Sequence, residues 1–404
     1  MKKEFSTVRW LYLILGTSVL LCVGIIYAWS ILKAPLAEEF SWTPHQLAIN
    51  FTLTICTFCL GAFLGGLCSK RLGIRLCLFL SAFLAGIGFV LTSHLSGQNI
   101  ANLYMTYGIL AGLGIGIAYN VIIATVCAWF PDKKGLCSGT LLMGFGSSAL
   151  VVGTLVSRLI ETQGWRSAYF YIGIALTAVL AFAALILRSP DADMASPHVG
   201  KECHTAGDEA VSIDYTTAQM VRLPSFWIAF LCIASLSAVG NTVISIASDL
   251  AISVGAGVSF AATLVGMLSV CNGLGRIIIG ALFDRFGRKK TMFFANYLAI
   301  SAAGVTLIAT VKHSLPLCVL GMCLVGFSYG AGPTMTSAVT SAFYGKKHFS
   351  LNFSVMNFNL MVASVMASVS SWLLEISGSY TIPILFLLGL ATISLILNIC
   401  LKQP

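Results

Sequence analysis

The sequence predicts an all-α integral membrane protein: twelve transmembrane helices in two pseudo-symmetric six-helix bundles. Three observations carry this. Of 404 residues, 58% are hydrophobic and 9% charged, with mean hydropathy +0.93, whereas soluble domains hold about 25% charged residues. Apolar runs of about 20 residues, the length a helix needs to cross the hydrocarbon core, recur along the whole chain. They are continuously apolar rather than alternating, which indicates helices and not a barrel. The third observation is a loop pattern that returns six segments later.

The first segment, residues 10–37, follows Lys2, Lys3 and Arg9. It is too long for a leader peptide and shows no obvious cleavage site, so it reads as a spanning helix. Further segments follow at 45–69, 75–94, 100–129, 135–160 and 166–187. A second set lies at 224–252, 259–283, 290–311, 314–343, 348–374 and 379–401. Twelve crossings place both termini on one side. Basic residues gather in alternate short loops, at Lys70, Arg71 and Arg75, at Lys133 and Lys134, at Arg285, Arg288, Lys289 and Lys290, and at Lys346 and Lys347. That alternation puts this side in the cytoplasm, and it accounts for the net charge of +9 without a nucleic-acid partner. Residues 189–209 are polar and mixed in charge, and read as a flexible cytoplasmic linker, with a short helix around Tyr215 to Val221 as the alternative there. The expected organisation is therefore a six-helix bundle over 1–188, a linker over 189–222 and a second bundle over 223–404.

Arg276 lies within the eighth segment, in Asn272-Gly-Leu-Gly-Arg276-Ile-Ile-Ile-Gly280. An arginine stays protonated, and in the bilayer it costs roughly 2.5 kcal/mol or more. Eight residues before Asp284, it sits about 12 Å from the helix end, near mid-membrane. Such a charge either meets a water-filled cavity and an anionic ligand or serves a structural ion pair. Its planar fork of donors matches a carboxylate. Ser269, Asn272, Arg276 and Gly280 share one helix face; Asn272 either holds the same ligand or glues helices together. The seventh segment carries Asn241, Ser245 and Asp249 along one face. Asp249 is either the carboxyl that couples protons to transport or a solvated residue at the helix end. Asn120, Asn357 and Asn359 line the cavity or bridge helices. Lys33, near Glu38 and Glu39 by the outer mouth, is expected at a solvated helix end, with a gate role as the alternative.

Gly66-Leu-Cys-Ser-Lys70-Arg71-Leu-Gly73-Ile-Arg75 after the second segment is echoed by Gly280-Ala-Leu-Phe-Asp284-Arg285-Phe-Gly287-Arg288-Lys289-Lys290 after the eighth. Repeats of this kind place substrate near the midplane between the halves. The loops resemble the signature of the major facilitator superfamily, although Lys70 stands where that family prefers an acid. Trp129-Phe-Pro-Asp-Lys-Lys-Gly135, Arg222-Leu-Pro-Ser-Phe-Trp227, Tyr27-Ala-Trp29-Ser and Asn272-Gly-Leu-Gly-Arg276 make the chain similar to the oxalate/formate antiporter family, akin to the monocarboxylate porters.

The resemblance implies the major facilitator fold, with Arg276 binding the substrate carboxylate and Tyr27, Tyr119 and Tyr329 lining the cavity, while Phe145 stands where the oxalate carrier has tyrosine. Asn272 and Asn359 join this expected substrate site as polar neighbours. The loop signature gives Asp284, Arg285 and Arg288 gating or structural roles, and Asn120, polar inside an apolar span, is placed with them as a helix bridge. Where the oxalate carrier has a second cation, this chain has Leu360, which favours a monoanion of the lactate, pyruvate or formate class over oxalate. The expected protein is a secondary active carrier in the plasma membrane, the inner membrane of a bacterium. It works by alternating access, with proton symport or exchange against a counter-anion, as a monomer in the lipid bilayer. No enzyme activity, cofactor or metal is expected. The thirteen cysteines lie mostly within helices, and the Cys56-x-x-Cys59 pair has apolar flanks and no neighbouring His. No G-x-x-x-x-G-K-[ST] phosphate loop occurs, so gradients must drive the flux. The competing expectation is an exporter of larger neutral or cationic compounds, which predicts acidic residues deep in the first half, and that half shows none.

Overall fold

In a computed structural model, residues 2–97, 99–130, 134–188, 214–345 and 348–404 are described. All secondary structure among them is helical. Among the described residues, eleven helices are long and apolar enough to cross a membrane, and the longest of them, Cys137–Ile186, breaks at Gly164 (φ 82°, ψ 160°) into two legs. The helices are α1 Val8–Leu32, α2 Pro44–Ser69, α3 Arg71–Ser93, α4 Ala101–Ala128, α5 at 137–163, α6 at 165–186, α7 Pro224–Ser253, α8 Val258–Phe283, α9 Arg285–Val311, α10 Leu315–Tyr344, α11 Leu351–Ser377 and α12 Thr381–Cys400.

The duplicated loops adopt one conformation. Gly73 breaks the chain between α2 and α3 at φ 80°, ψ 161°, and Gly287 does so between α8 and α9 at φ 74°, ψ 173°. A residue with a Cβ is strained there, so the glycine of each repeat is a backbone requirement. The side chains of Lys70 and Asp284, and the linker residues 189–213, lie outside the described residues. Beyond them the short helix Thr217–Arg222 forms, closed by a capping box between Thr216 and Gln219. It is anchored to the α10–α11 end, where Asn352 Nδ2 donates to the Tyr215 carbonyl at 3.0 Å and Thr217 donates to Asn352 Oδ1 at 2.7 Å.

Several segments expected as continuous helices are interrupted. α1 tightens to a 3₁₀ turn over Gly24–Ala28, and α4 widens to a π-helix over Tyr104–Ala111. The fifth segment breaks at Ser147, and the eleventh is divided between Phe349–Met356 and Asn359–Ser377. Hydropathy has no sight of these breaks, because an irregular turn buried in protein is as apolar as the helix around it. Broken helices are tolerated at membrane depth where neighbouring helices meet the freed backbone groups, and they gather at binding sites.

The two sets of six meet along α1–α7, α2–α11 and α5–α8. Away from the basic loops, Thr52 on α2 bonds to the Ser364 carbonyl and the Ser368 hydroxyl on α11, both at 2.6 Å. Toward the basic loops, Asn120 on α4 donates to the Ala62 carbonyl at 2.6 Å and to Ser354 Oγ on α11 at 3.3 Å. Contacts at both ends leave the central layer sealed.

Candidate functional site

Arg276 is 2% exposed and occupies the centre of this layer. Its Nη1 donates to the Leu142 carbonyl on α5 at 2.7 Å, its Nε to Asn272 Oδ1 at 3.3 Å, and its Nη2 to Tyr27 Oη on α1 at 3.4 Å. All three partners are neutral; among the described residues no carboxylate pairs with it. A guanidinium has five N–H groups, so two remain for another acceptor. The break at Ser147 explains the approach to α5: the preceding glycine, Gly146, presents no side chain, and a Cβ placed there would lie 3.3 Å from the guanidinium carbon.

Around the guanidinium stands an aromatic box. Tyr27 meets Phe145 edge-on, with ring centroids 5.2 Å apart, and Tyr329 edge-on at 5.8 Å. Tyr119 packs against Phe145 and Phe58, both at 5.0 Å. Tyr329 Oη donates to Asn241 Oδ1 on α7 at 2.7 Å and lies 3.3 Å from Tyr27 Oη. Having given its proton to Asn241, Tyr329 must accept from Tyr27, which itself accepts from Arg276. A directed chain of hydrogen bonds therefore runs α8, α1, α10, α7, and crosses twice between the two sets of six. The Nδ2 groups of Asn272 and Asn241 are buried without a partner. Among the described residues the centre holds spare donors and no carboxylate, an arrangement suited to receiving an anion.

The structure thus brings together Arg276, Asn272, Tyr27, Tyr119, Tyr329 and Phe145. Asn359 stands apart: it donates to Thr336 Oγ1 at 3.1 Å and to the Met356 carbonyl at 2.7 Å, at the break in the eleventh segment. Asn120 bridges three helices. Arg285 lies over the Phe286 ring at 5.3 Å and Arg288 over Phe343 at 4.9 Å.

Asp249 faces α1, where Lys33 Nζ lies 2.7 Å from its Oδ2. Lys33 is 5% exposed, which corrects the expectation of a solvated helix end. It is the junction residue between helix Trp29–Leu32 and helix Ala34–Phe40, and its side chain lies against α7.

Sequence reasoning missed Phe58, the Leu142 carbonyl and the part played by Asn241. Phe58 is one phenylalanine among many in an apolar helix, and a backbone carbonyl carries no residue-type signal. Asn241 was visible as part of a polar stripe on α7, but its partner Tyr329 lies 88 residues away.

The sequence matches the Major Facilitator Superfamily model over residues 14–247 and 226–403. It is 24% identical over 348 residues to the oxalate:formate antiporter of Oxalobacter formigenes, covering 84% of this chain and 80% of that one. It is 29% identical over 388 residues to monocarboxylate transporter 12-B of Danio rerio, covering 89% and 78%. The crystal structure of a point mutant of the nucleoside transporter NupG superposes with a TM-score of 0.73 at 13% identity, over 98% of this chain and 100% of that one. At that identity the likeness shows the fold alone.

Proposed function

The chain belongs to the Major Facilitator Superfamily and is a multi-pass membrane transporter rather than an enzyme; from that premise we propose that it carries short monocarboxylates, of the lactate, pyruvate or formate class, across the plasma membrane of a bacterium. One observation carries the reading: Arg276 is sealed at mid-depth with neutral partners, and unpartnered donors stand beside it. A fixed cation in this setting costs several kcal/mol unless an anion joins it. One positive charge is neutralised by one carboxylate, and Leu360, buried on α11, adds no second charge. The antiporter and monocarboxylate transporter relatives support the same substrate class.

The carrier works by alternating access, the bundles 1–188 and 223–404 rocking about the Arg276 layer, with both termini cytoplasmic. Carboxylate binding neutralises the guanidinium and lets the apolar centre close over the pair. Proton symport or anion exchange completes the cycle. Asp249 is the carboxyl assigned to proton coupling, and it must part from Lys33 whenever α1 and α7 separate. Arg276→Gln should abolish counterflow of lactate, pyruvate and formate in proteoliposomes while leaving the melting temperature in detergent within a few degrees of wild type. Undiminished counterflow would overturn the reading.

A further inference from the structure

A narrow void opens off the Arg276 layer, bounded by Tyr27 and Asn272, the two side chains that bond the guanidinium, and walled by Ile244, Ala247, Val265 and Leu268. The four wall residues are no more than 2% exposed. The void is too narrow for a water molecule as it stands. Val265 and Leu268 precede Arg276 by eleven and eight residues, so these walls lie about 12–16 Å along α8 from the Arg276 backbone. From Asn272 to Val265 the void spans about 10 Å of the helix, away from the basic loops. Ser269 also borders it, but its hydroxyl is spent on the Gly146 carbonyl.

We propose that this void is a slot for the alkyl substituent of a monocarboxylate held on Arg276, and that Ile244, Ala247, Val265 and Leu268 set the longest chain the carrier accepts. The inference rests on the carboxylate reading and makes it more specific. Elsewhere the guanidinium is closely surrounded, by α5 at Gly146 on one side and by the Tyr27 ring on another, 6.0 Å from the guanidinium carbon to the ring centre. A substituent therefore extends toward the void. Four aliphatic walls reward methyl and methylene groups by removing them from water. They offer no donor, and the spare Asn272 Nδ2 stands at the mouth beside the first carboxylate, so a second carboxylate deeper in the slot would be buried without a partner. The carrier accordingly selects by length and rejects dianions of the same size.

The test is competition against a labelled monocarboxylate in proteoliposomes, with formate, acetate, propionate, butyrate and malonate as competitors. Propionate should compete, and malonate, of similar size but with two charges, should not. Ile244→Ala should raise the preference for butyrate over acetate about tenfold, and Ala247→Val should lower it by a similar factor, since one methylene in an apolar pocket is worth about that much discrimination. Ile244→Val, a milder enlargement, gives a smaller shift of the same sign if the alanine variant does not fold. Comparing two substrates within one variant cancels any loss of active protein. If monocarboxylates are carried but the butyrate-to-acetate ratio is unmoved in these variants, or malonate competes as well as propionate, the slot is refuted and the carboxylate reading stands. If the wild type carries none of the monocarboxylates, both fall.

Discussion

Lys33, just past the end of α1, and Asp249, in the last turns of α7, form an ion pair of 2.7 Å that ties the first six helices to the second six. Its members are unequally buried: the Lys33 side chain is 7% exposed and that of Asp249 is 38% exposed. Deeper in the same helix pair, Tyr27 and Asn241 are joined through the Tyr329 hydroxyl. The α1–α7 contact thus has two polar rungs, and any opening between these helices must break the outer one.

The inequality makes the pair's two single variants differ. Asp249→Asn strands a buried ammonium and should cost about 1–3 kcal/mol, while Lys33→Gln leaves a carboxylate that already reaches water and should cost less than about 1 kcal/mol. The double variant should recover most of the loss. Melting temperatures in detergent read all three, and equal effects of the two single changes would contradict this account.

Gly146→Ala should impair uptake without unfolding the protein, because its Cβ would press within 3.3 Å of the guanidinium and 3.5 Å of Asn272 Nδ2. A displacement of a few tenths of an ångström or more at a binding group is expected to lower uptake about tenfold or more. Gly139→Ala, on the same helix with nothing within 4 Å, serves as the control and should leave uptake intact.

Tyr329→Phe removes the hydroxyl that accepts from Tyr27 and donates to Asn241. Asn241 is fully buried and its Nδ2 already has no partner, so the whole amide is then unsatisfied, at a cost of about 1–3 kcal/mol. Replacing both, as Tyr329→Phe with Asn241→Leu, should restore part of that stability while uptake stays impaired. A double variant no more stable than Tyr329→Phe alone would show that the hydroxyl and the amide are not coupled.

At the end away from the basic loops, hydrogen bonds from Arg166 and Trp165 hold the Glu39 carboxyl below its ordinary value of 4.5. A depressed carboxyl contributes stability that is fully present above its ordinary range and is lost as pH falls through the lowered value. Wild type should therefore exceed Glu39→Gln in melting temperature at neutral pH, and the gap should shrink below pH 4.5. A gap that is constant from neutral to acid pH would remove the ion pair from the explanation.

Much of this architecture is legible in the chain. The twelve spans follow from hydropathy, because lipid tolerates no unpaired backbone and only a continuous apolar helix satisfies every N–H and C=O within its own segment. The duplicated loops could be read from Gly73 and Gly287, because a positive φ combined with extended ψ is a conformation that essentially only glycine adopts. Arg276 stood out for the same kind of reason: a permanent charge in an apolar run has few physical explanations. Residue type and local spacing suffice for all three.

The remainder belongs to tertiary structure. That Arg276 rests on the Leu142 carbonyl and Tyr27, that Asn241 closes the chain of hydroxyls through Tyr329, that Lys33 is buried against Asp249, and that four aliphatic side chains border a void beside the guanidinium all depend on helices far apart in sequence. Each helix is apolar on nearly every side, so the pattern within one span does not distinguish the face toward lipid from the face toward its neighbours. Only packing of all twelve helices decides which asparagine reaches which tyrosine, and which phenylalanine becomes a wall of the site.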